Sequence, residues 1–363
     1  MCAVPFTELE LDEEHGVQLV KNSRFTPRIN QSPMSAHERA FYTDTMNTAL
    51  VTAIDDVRQG KVNGSTCKNV MSATVLLPEL NPALDIYDRR FLIKVIWDLV
   101  MRLADDRALT VQMMTQSATQ FGGLPLSVAG LQKTLAADIR ASSESWSEGL
   151  RTRVRLADLG PEHVTDDVDV FIFVSPTNAQ GAPVVEQVMS TVERIGSERP
   201  ILLINPRLGE VPSHSGVMQV QGRRERLDFV GQIPRAFVME LLYKSGTWYP
   251  LRGILFRAYP GDFELWKRWQ DITVLGAGVQ AEKIMREEFE LLHTWPASSP
   301  PSRTEISDHI QNASRASLPA NYEGSSDSDM STASPTPPSS VPITFAVPVA
   351  IFSAALLYFS LLK

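Results

Sequence analysis

The sequence predicts an α/β fold, with a mostly parallel sheet flanked by helices and a single transmembrane helix at the C-terminal end. Strand-like apolar runs alternate with segments of helical period between residues 39 and 295, which is typical of α/β layers. Two of the runs, 168–174 and 200–204, are almost uninterrupted in apolar residues, as expected for strands covered on both faces. Residues 341–362 contain no charged side chain, which predicts the membrane helix.

The first half of this domain is predicted to alternate between helices and strands. Apolar residues three and four positions apart indicate helices, and short apolar runs indicate strands. In chain order these elements are a helix over 40–58, a strand over 70–77, a helix over 88–103, a strand over 108–114 and a helix from Ser127 to about residue 139. Ser127 has the hydroxyl group that is favoured at the N-cap of a helix.

The second half is predicted to contain a right-handed β-α-β unit. Its strands are the runs 168–174 and 200–204, and the segment 183–195 between them has the pattern of a crossover helix. Beyond Phe229 the pattern changes to strand-like runs, including 253–258 and 263–269, which predict added antiparallel strands. A last amphipathic helix is expected over 277–292.

The segments outside this domain differ from it in composition. Residues 1–38 are polar without a sustained period and predict a flexible arm. Residues 296–340 are rich in Ser, Pro and Thr, with too few large apolar groups to offset chain entropy, and predict a disordered linker. Residues 341–362 exceed the length of about 20 residues that crosses a bilayer as a helix, so the lipid bilayer is an expected partner.

A glycolipid-anchor signal is the other membrane interpretation of the C-terminal segment. That signal requires a secretory leader at the N-terminus. The first residues, MCAVPFTELELDEEHG, place acidic groups where a leader has a basic and then an apolar region. The sequence therefore favours a C-terminal membrane anchor, with the rest of the chain on one side of the membrane.

Composition excludes several classes of function. The net charge of −8 argues against a nucleic-acid partner, because binding to phosphates needs a cationic surface. Cys2 and Cys67 are the only cysteines, so a disulfide framework and a thiolate metal cage are excluded. We expect a reducing compartment and no cofactor.

Motifs of known catalytic families are absent from the sequence. It contains no phosphate-binding P-loop, dinucleotide fingerprint, zinc-protease motif or nucleophile elbow. His163 lies close to Asp166, Asp167 and Asp169, a set that has the chemistry of hard metal ligands. Solvated acids ahead of a strand are the more common meaning of such a cluster. We therefore predict no catalytic residue and no metal site.

Polar side chains follow several of the predicted parallel strands. Ligands bind beyond the carboxyl ends of such strands, where loops converge. If the strands are adjacent, Glu79, Asn178, Asn205 and Arg207 share one rim, where Arg207 holds an anion and Asn205 orients a polar ligand. The alternative is that Asn205-Pro206 is a turn that ends a strand for local reasons.

Short segments at 75–80, 171–176, 200–208 and 253–261 carry a family resemblance. The most distinctive are Asn205-Pro206 after a strand and Tyr259-Pro260-Gly261. Over about residues 42–269 the chain resembles a domain-of-unknown-function family of plastids and cyanobacteria. That family includes the Low Photosystem II Accumulation type of assembly factor. The resemblance implies a plastid (chloroplast) membrane and a role in photosystem assembly.

Two functional hypotheses from different classes follow. In the first, the chain is a membrane-anchored, non-catalytic scaffold that presents its α/β domain to membrane-protein clients. In the second, it is an enzyme or sensor that binds a phosphorylated or nucleotide-like small molecule at the strand ends. The resemblance and the absence of a catalytic motif favour the first.

Overall fold

The computed structural model describes Phe25 and residues 27–30, 32–61, 69–82, 84–117, 130–178, 184–209, 222–243, 251–275 and 282–313. Over these residues it has the predicted α/β architecture. No helix in the described ranges is long and apolar enough to cross a membrane. Residues 341–362 lie outside those ranges, so the membrane anchor remains a prediction.

The described strands form one sheet in the order β3-β2-β4-β5-β1-β6-β7-β8-β9. The first six strands in this order, which end with β6, are parallel to one another. Strands β7, β8 and β9 continue the sheet, and each is antiparallel to the strand before it. The strands are β1 (Val70–Leu76), β2 (Val111–Thr115), β3 (Val154–Asp158), β4 (Val170–Val174), β5 (Ile201–Ile204), β6 (Arg235–Tyr243), β7 (Leu251–Ala258), β8 (Phe263–Leu275) and β9 (Glu282–Trp295).

Helices cover both faces of the parallel half. The helices are α1 (Ala36–Arg58), α2 (Arg89–Met101), α3 (Leu131–Ser143), α4 (Glu148–Arg153), α5 (Val184–Ile195), α6 (Arg223–Gln232) and α7 (Arg303–Asn312). Buried residues of α1, α2, α3 and α4 pack on one face of the sheet, and α5 and α6 pack on the other. In β4, Ile172 belongs to the first cluster and Phe173 to the second. Because helices cover both faces, β4 and β5 are apolar at every position.

Local sequence signals account for several helix ends. Ser35 and Glu38 form a reciprocal capping box at the start of α1, so α1 begins four residues before the predicted start at 40. The side chain of Asp88 caps α2 by accepting hydrogen bonds from the N–H groups of Arg90 and Phe91. The predicted cap Ser127 lies outside the described residues, and α3 is preceded by Gly130 in the left-handed conformation.

The helix predicted over 277–292 is wrong, because Glu282–Trp295 forms strand β9. Leu265 is paired with His293 and Trp266 with Leu291, which leaves Leu292 as an extra residue in a β-bulge. Phe289 and Trp295 are consequently buried in different core clusters, on the two sides of the bulge. A bulge breaks the alternation of period two that identifies a strand, and the remaining apolar spacing resembles that of a helix.

Four other elements were not anticipated from the sequence. Strand β3 and helices α4 and α6 were not predicted at all. Helix α7 lies within the predicted linker 296–340, and its residues Ile306 and Ile310 are buried against Trp295 and Phe263.

Part of the N-terminal segment 1–38, which was predicted to be flexible, also contributes to the core. Phe25 is 2% exposed, and its ring lies 5.5 Å from those of Phe256 and Trp266 and 5.9 Å from that of Phe289. Ile29 is fully buried in the same cluster. Composition alone does not reveal these anchors, because two apolar residues give no period to detect.

Candidate functional site

The four predicted site residues come to one edge of the sheet. Strands β4, β5 and β1 are adjacent and parallel, so Asn178, Asn205 with Arg207, and Glu79 all follow their carboxyl ends. The chain leaves β2 for α3 on one face and leaves β4 for α5 on the opposite face. The carboxyl ends of β2 and β4 therefore flank a topological switch point, the usual place for a ligand in an open α/β sheet.

Strands β4 and β5 end in matching turns. Ser175 has a φ of 48° and Asn205 a φ of 46°, and each is followed by proline. After these turns the two chains pair once more through Thr177 and Arg207. The N–H of Arg207 donates to Pro176 O at 2.7 Å, and the N–H of Asn178 donates to Arg207 O at 3.0 Å. Non-glycine residues in the left-handed region are uncommon, and they cluster at functional sites.

Asn205 connects β5 to β1. Its Oδ1 accepts a hydrogen bond from the N–H of Val75 at 2.6 Å, and its Nδ2 donates to Leu80 O at 3.4 Å. The side chain is 3% exposed. In this structure both ends of the amide bind backbone groups, which agrees with the alternative interpretation of Asn205-Pro206 as a turn.

Glu79 and Asn178 also bind groups of the protein itself. Glu79 accepts hydrogen bonds from Met34 N at 2.9 Å and Ser32 Oγ at 3.1 Å, and its Oε2 lies 2.6 Å from Nη2 of Arg39. It holds the segment before α1 against the end of β1. Asn178 donates to Leu208 O at 2.8 Å and accepts from the N–H of Val185, in the first turn of α5, at 3.3 Å.

Arg207 differs from the other three residues. It is half-buried, and its guanidinium makes no hydrogen bond or ion pair with any residue that the structure describes. Arginine presents several N–H donors in a plane that matches carboxylate and phosphate groups. Of the four predicted site residues, Arg207 is therefore the one whose side chain is available to a ligand as far as the described residues are concerned.

Two hydroxyl groups at this edge were not predicted as site residues. Thr115 ends β2 and Ser175 follows β4, and they are 1% and 3% exposed. Neither hydroxyl oxygen has a hydrogen-bond partner in the described part of the chain. Between them, Gln116 exchanges two hydrogen bonds of 2.7 Å with the main chain of Thr177. The polar pair Thr115-Gln116, at the end of a buried apolar strand, was the sequence signal that could have identified Thr115 as a site residue.

The acids near His163 are engaged with basic groups or the backbone. Asp167 pairs with Arg155 at 2.5 Å, which lowers the pKa of the Asp167 carboxyl to about 2. Asp166 lies 3.3 Å from Arg194, and Asp169 accepts from the N–H of Thr110 at 2.8 Å. Among the described residues no cluster of His, Cys, Asp and Glu is arranged to hold a metal ion.

The Tyr259-Pro260-Gly261 segment forms a structural turn at the end of β7. The Arg257 guanidinium donates to the carbonyl oxygens of Gly261, at 3.0 Å, and of Arg235. The Tyr259 hydroxyl donates to Asp56 at 2.9 Å and so ties the turn to α1. Burial, followed by this hydrogen bond, raises the pKa of Tyr259. These contacts give the motif a role in folding.

The hairpin of β8 and β9 extends beyond the other strands that the structure describes. Strand β7 pairs with β8 only where Gly253–Phe256 faces residues 264–267. From 268 to 275, β8 has β9 as its only partner among the described strands. We call residues 268–275 and 282–289 the arm. At about 3.4 Å per residue the arm is about 25 Å long.

One comparison with known proteins bears on the whole domain. The family model for a domain of unknown function, DUF1995, matches residues 39–289 of the chain. This range begins within α1 and ends in β9, so it includes every parallel strand and most of the antiparallel half.

Proposed function

The chain belongs to the DUF1995 family, and we propose that this member is a membrane-anchored, non-catalytic scaffold for membrane-protein clients. The resemblance to Low Photosystem II Accumulation type factors supports photosystem subunits as clients and a plastid membrane as the location. The apolar segment 341–362 supports a C-terminal anchor, from which the domain reaches its clients on the linker.

The arm is the observation that carries this proposal. An isolated two-stranded ribbon is only marginally stable in water, and its free edges present unpaired N–H and C=O groups. Extended segments of partner proteins bind such edges by adding a strand. Strand β8 runs in the same direction as β1, so the arm extends past the edge where the parallel strands end. It is placed to contact a client without rearrangement of the domain.

The roles of the polar residues at the strand ends also favour a scaffold. Glu79, Asn178 and Asn205 hold α1, α5 and β1 in place through the hydrogen bonds given above. Their side chains contribute to the rigidity of the domain. A rigid body with a projecting ribbon suits a protein that holds clients.

The proposal is tested by shortening the arm in the full-length chain. Trp269 and Glu288 are register partners, so an Asn-Gly turn that replaces residues 270–287 closes the hairpin at its base. Tagged wild type and variant are used to recover photosystem subunits from detergent-solubilised plastid membranes. We expect recovery to fall at least tenfold with the short arm, while the melting temperature of the domain stays close to that of the wild type.

Arg207→Gln is the matched control for this experiment, because Arg207 lies on a different part of the sheet. Its recovery of photosystem subunits should equal that of the wild type. Equal recovery by the wild type and the short-arm variant would contradict the proposal. So would a loss of recovery with Arg207→Gln alone.

A further inference from the structure

We infer that the carboxyl ends of β2, β4 and β5 bind the phosphate group of a small molecule. The site consists of Thr115, Ser175, Arg207 and the N-terminus of α3. It lies at the edge of the sheet where these strands end, and it does not depend on the scaffold role. Each part of the site supplies a donor or a positive charge.

Thr115 is directed to the α2 and α3 face by the pleat of β2. Val111 and Met113 precede it at alternate positions and belong to the same core cluster as Leu131 and Leu135 of α3. The Thr115 hydroxyl is therefore buried at the end of the strand, beneath the start of these helices, without a partner among the described residues. A buried hydroxyl that lacks a hydrogen bond costs free energy, which a bound oxygen acceptor recovers.

Helix α3 begins beside Thr115. Gln132, in the first turn of α3, donates to the carboxylate of Asp158, and Asp158 is the register partner of Thr115. Gly130 precedes the helix with a φ of 80° and has no side chain that could cap the first N–H groups. These N–H groups and the positive end of the helix dipole favour an anion at this position.

Arg207 approaches the same face from β5. Leu208 packs in the cluster with α5, so by alternation Arg207 is directed to the opposite face, where α2 and α3 lie. It is paired with Thr177 on the extension of β4, two residues after Ser175. Arg207 and Ser175 therefore lie on neighbouring chains at the same edge of the sheet. Both are without a partner in the described ranges.

Of the two acids at this edge, Glu79 is paired with Arg39, which compensates its charge. Asp158 accepts a hydrogen bond from Gln132 and keeps its negative charge, so the positive charge of Arg207 is needed to hold an anion here. The Arg207 guanidinium, two hydroxyl donors and a helix N-terminus match the oxygens and the negative charge of a phosphate group.

The inference is tested by titrating inorganic phosphate into the full-length chain in detergent micelles, followed by calorimetry. Chloride at equal ionic strength is the reference. We expect saturable binding of phosphate that Arg207→Gln and Ser175→Gly each weaken at least tenfold. Glycine at 175 accepts the φ of 48°, so Ser175→Gly removes the hydroxyl without backbone strain. Ribose 5-phosphate and adenosine 5′-monophosphate then distinguish a sugar phosphate from a nucleotide.

Thr115→Val gives the sharpest result, because it separates a ligand-binding role from a structural one. Valine keeps the shape of threonine but removes the unpartnered hydroxyl. We expect the free protein to melt at the same or a higher temperature while its phosphate affinity falls at least tenfold. Arg224→Gln is the control: the Arg224 side chain is 94% exposed on α6, and the variant should bind phosphate as the wild type does.

Three results would overturn the inference. The first is no binding of phosphate beyond that of chloride. The second is binding that persists equally in Arg207→Gln, Ser175→Gly and Thr115→Val. The third is a marked fall in melting temperature with Thr115→Val, which would assign the hydroxyl to folding. None of these results bears on the arm, so the scaffold proposal stands or falls separately.

Discussion

Two buried asparagines illustrate how hydrogen bonding determines the free-energy cost of burying a polar side chain. Asn205 is 3% exposed and both ends of its amide are bonded to the backbone of neighbouring segments. Asn47 on α1 is fully buried, and neither its oxygen nor its nitrogen has a partner among the described residues. A buried polar group without a partner costs about 1–3 kcal/mol.

The two residues should therefore respond differently to substitution by alanine. Asn205→Ala loses two buried hydrogen bonds and places alanine at a φ of 46°, so we expect the free energy of unfolding to fall by about 2–4 kcal/mol. Asn47→Ala removes the unpartnered amide and improves helix propensity, so we expect no loss, or a gain of about 1 kcal/mol. Urea denaturation followed by circular dichroism measures both values. Equal destabilisation by the two substitutions would contradict these assignments.

The roles of the site residues were predicted less well than their location. The apolar runs of β1, β4 and β5 predicted that Glu79, Asn178, Asn205 and Arg207 follow the ends of strands, and the order of the strands in the structure brings these ends to one edge. Their partners were not predictable, because Asn205 binds Val75, 130 positions away in the sequence, and Asn178 binds Leu208, 30 positions away. Such contacts depend on the order of strands in the sheet, which local pattern does not encode.

At the scale of elements, the antiparallel half depends on close approach between β7 and β8. A Cβ atom on Gly253 would lie 2.3 Å from Trp266 O, a distance that no side chain tolerates. Gly253 also faces Ile310 of α7, at 3.5 Å from the same Cβ position. This glycine lets the hairpin pack against β7 and lets α7 lie across the sheet.

Gly253→Ala is expected to destabilise the domain strongly, by about 2 kcal/mol or more, because the backbone of β8 must move. Gly149→Ala is the matched control: a Cβ at Gly149 in α4 meets nothing within 4 Å, so we expect a gain of about 0.5–1 kcal/mol from helix propensity. Thermal melts of the two variants give the comparison. A Gly253→Ala variant as stable as the wild type would show that β7 and β8 are not packed as described.

Elements in the parallel half were predicted more accurately than those in the antiparallel half. Buried parallel strands are short and apolar throughout, so β1, β4 and β5 were found within about two residues of their ends. Strand β9 has charged residues along its length and a bulge at Leu292, and both features remove the alternation that identifies strands. Strand β3 lies at the edge of the sheet and is mostly half-buried, which weakens its apolar signal.

For the whole molecule, the sheet separates two surfaces that serve different proposed roles. The carboxyl ends of β2, β4 and β5 hold the proposed phosphate site, and the arm lies several strands away, in β8 and β9. A ligand at the first surface therefore need not compete with a client at the second. The scaffold role requires the domain to be held near its clients, and this depends on the segment 341–362.

The membrane anchor is tested on the full-length chain and on a chain that ends at residue 340. A helix of apolar residues that spans the bilayer buries its backbone polar groups internally and resists alkaline carbonate, whereas proteins attached by charge are released. We expect the full-length chain to stay with the membrane pellet and the shortened chain to appear in the supernatant. Replacing Ala350 and Ala354 by Asp provides a control of unchanged length, because charged residues are costly within a bilayer and should release the chain. If the full-length chain is extracted by carbonate as readily as the shortened one, residues 341–362 do not form a membrane anchor, and the proposed location is wrong. A fluorescent protein fused to the N-terminus then shows whether the membrane is that of a plastid.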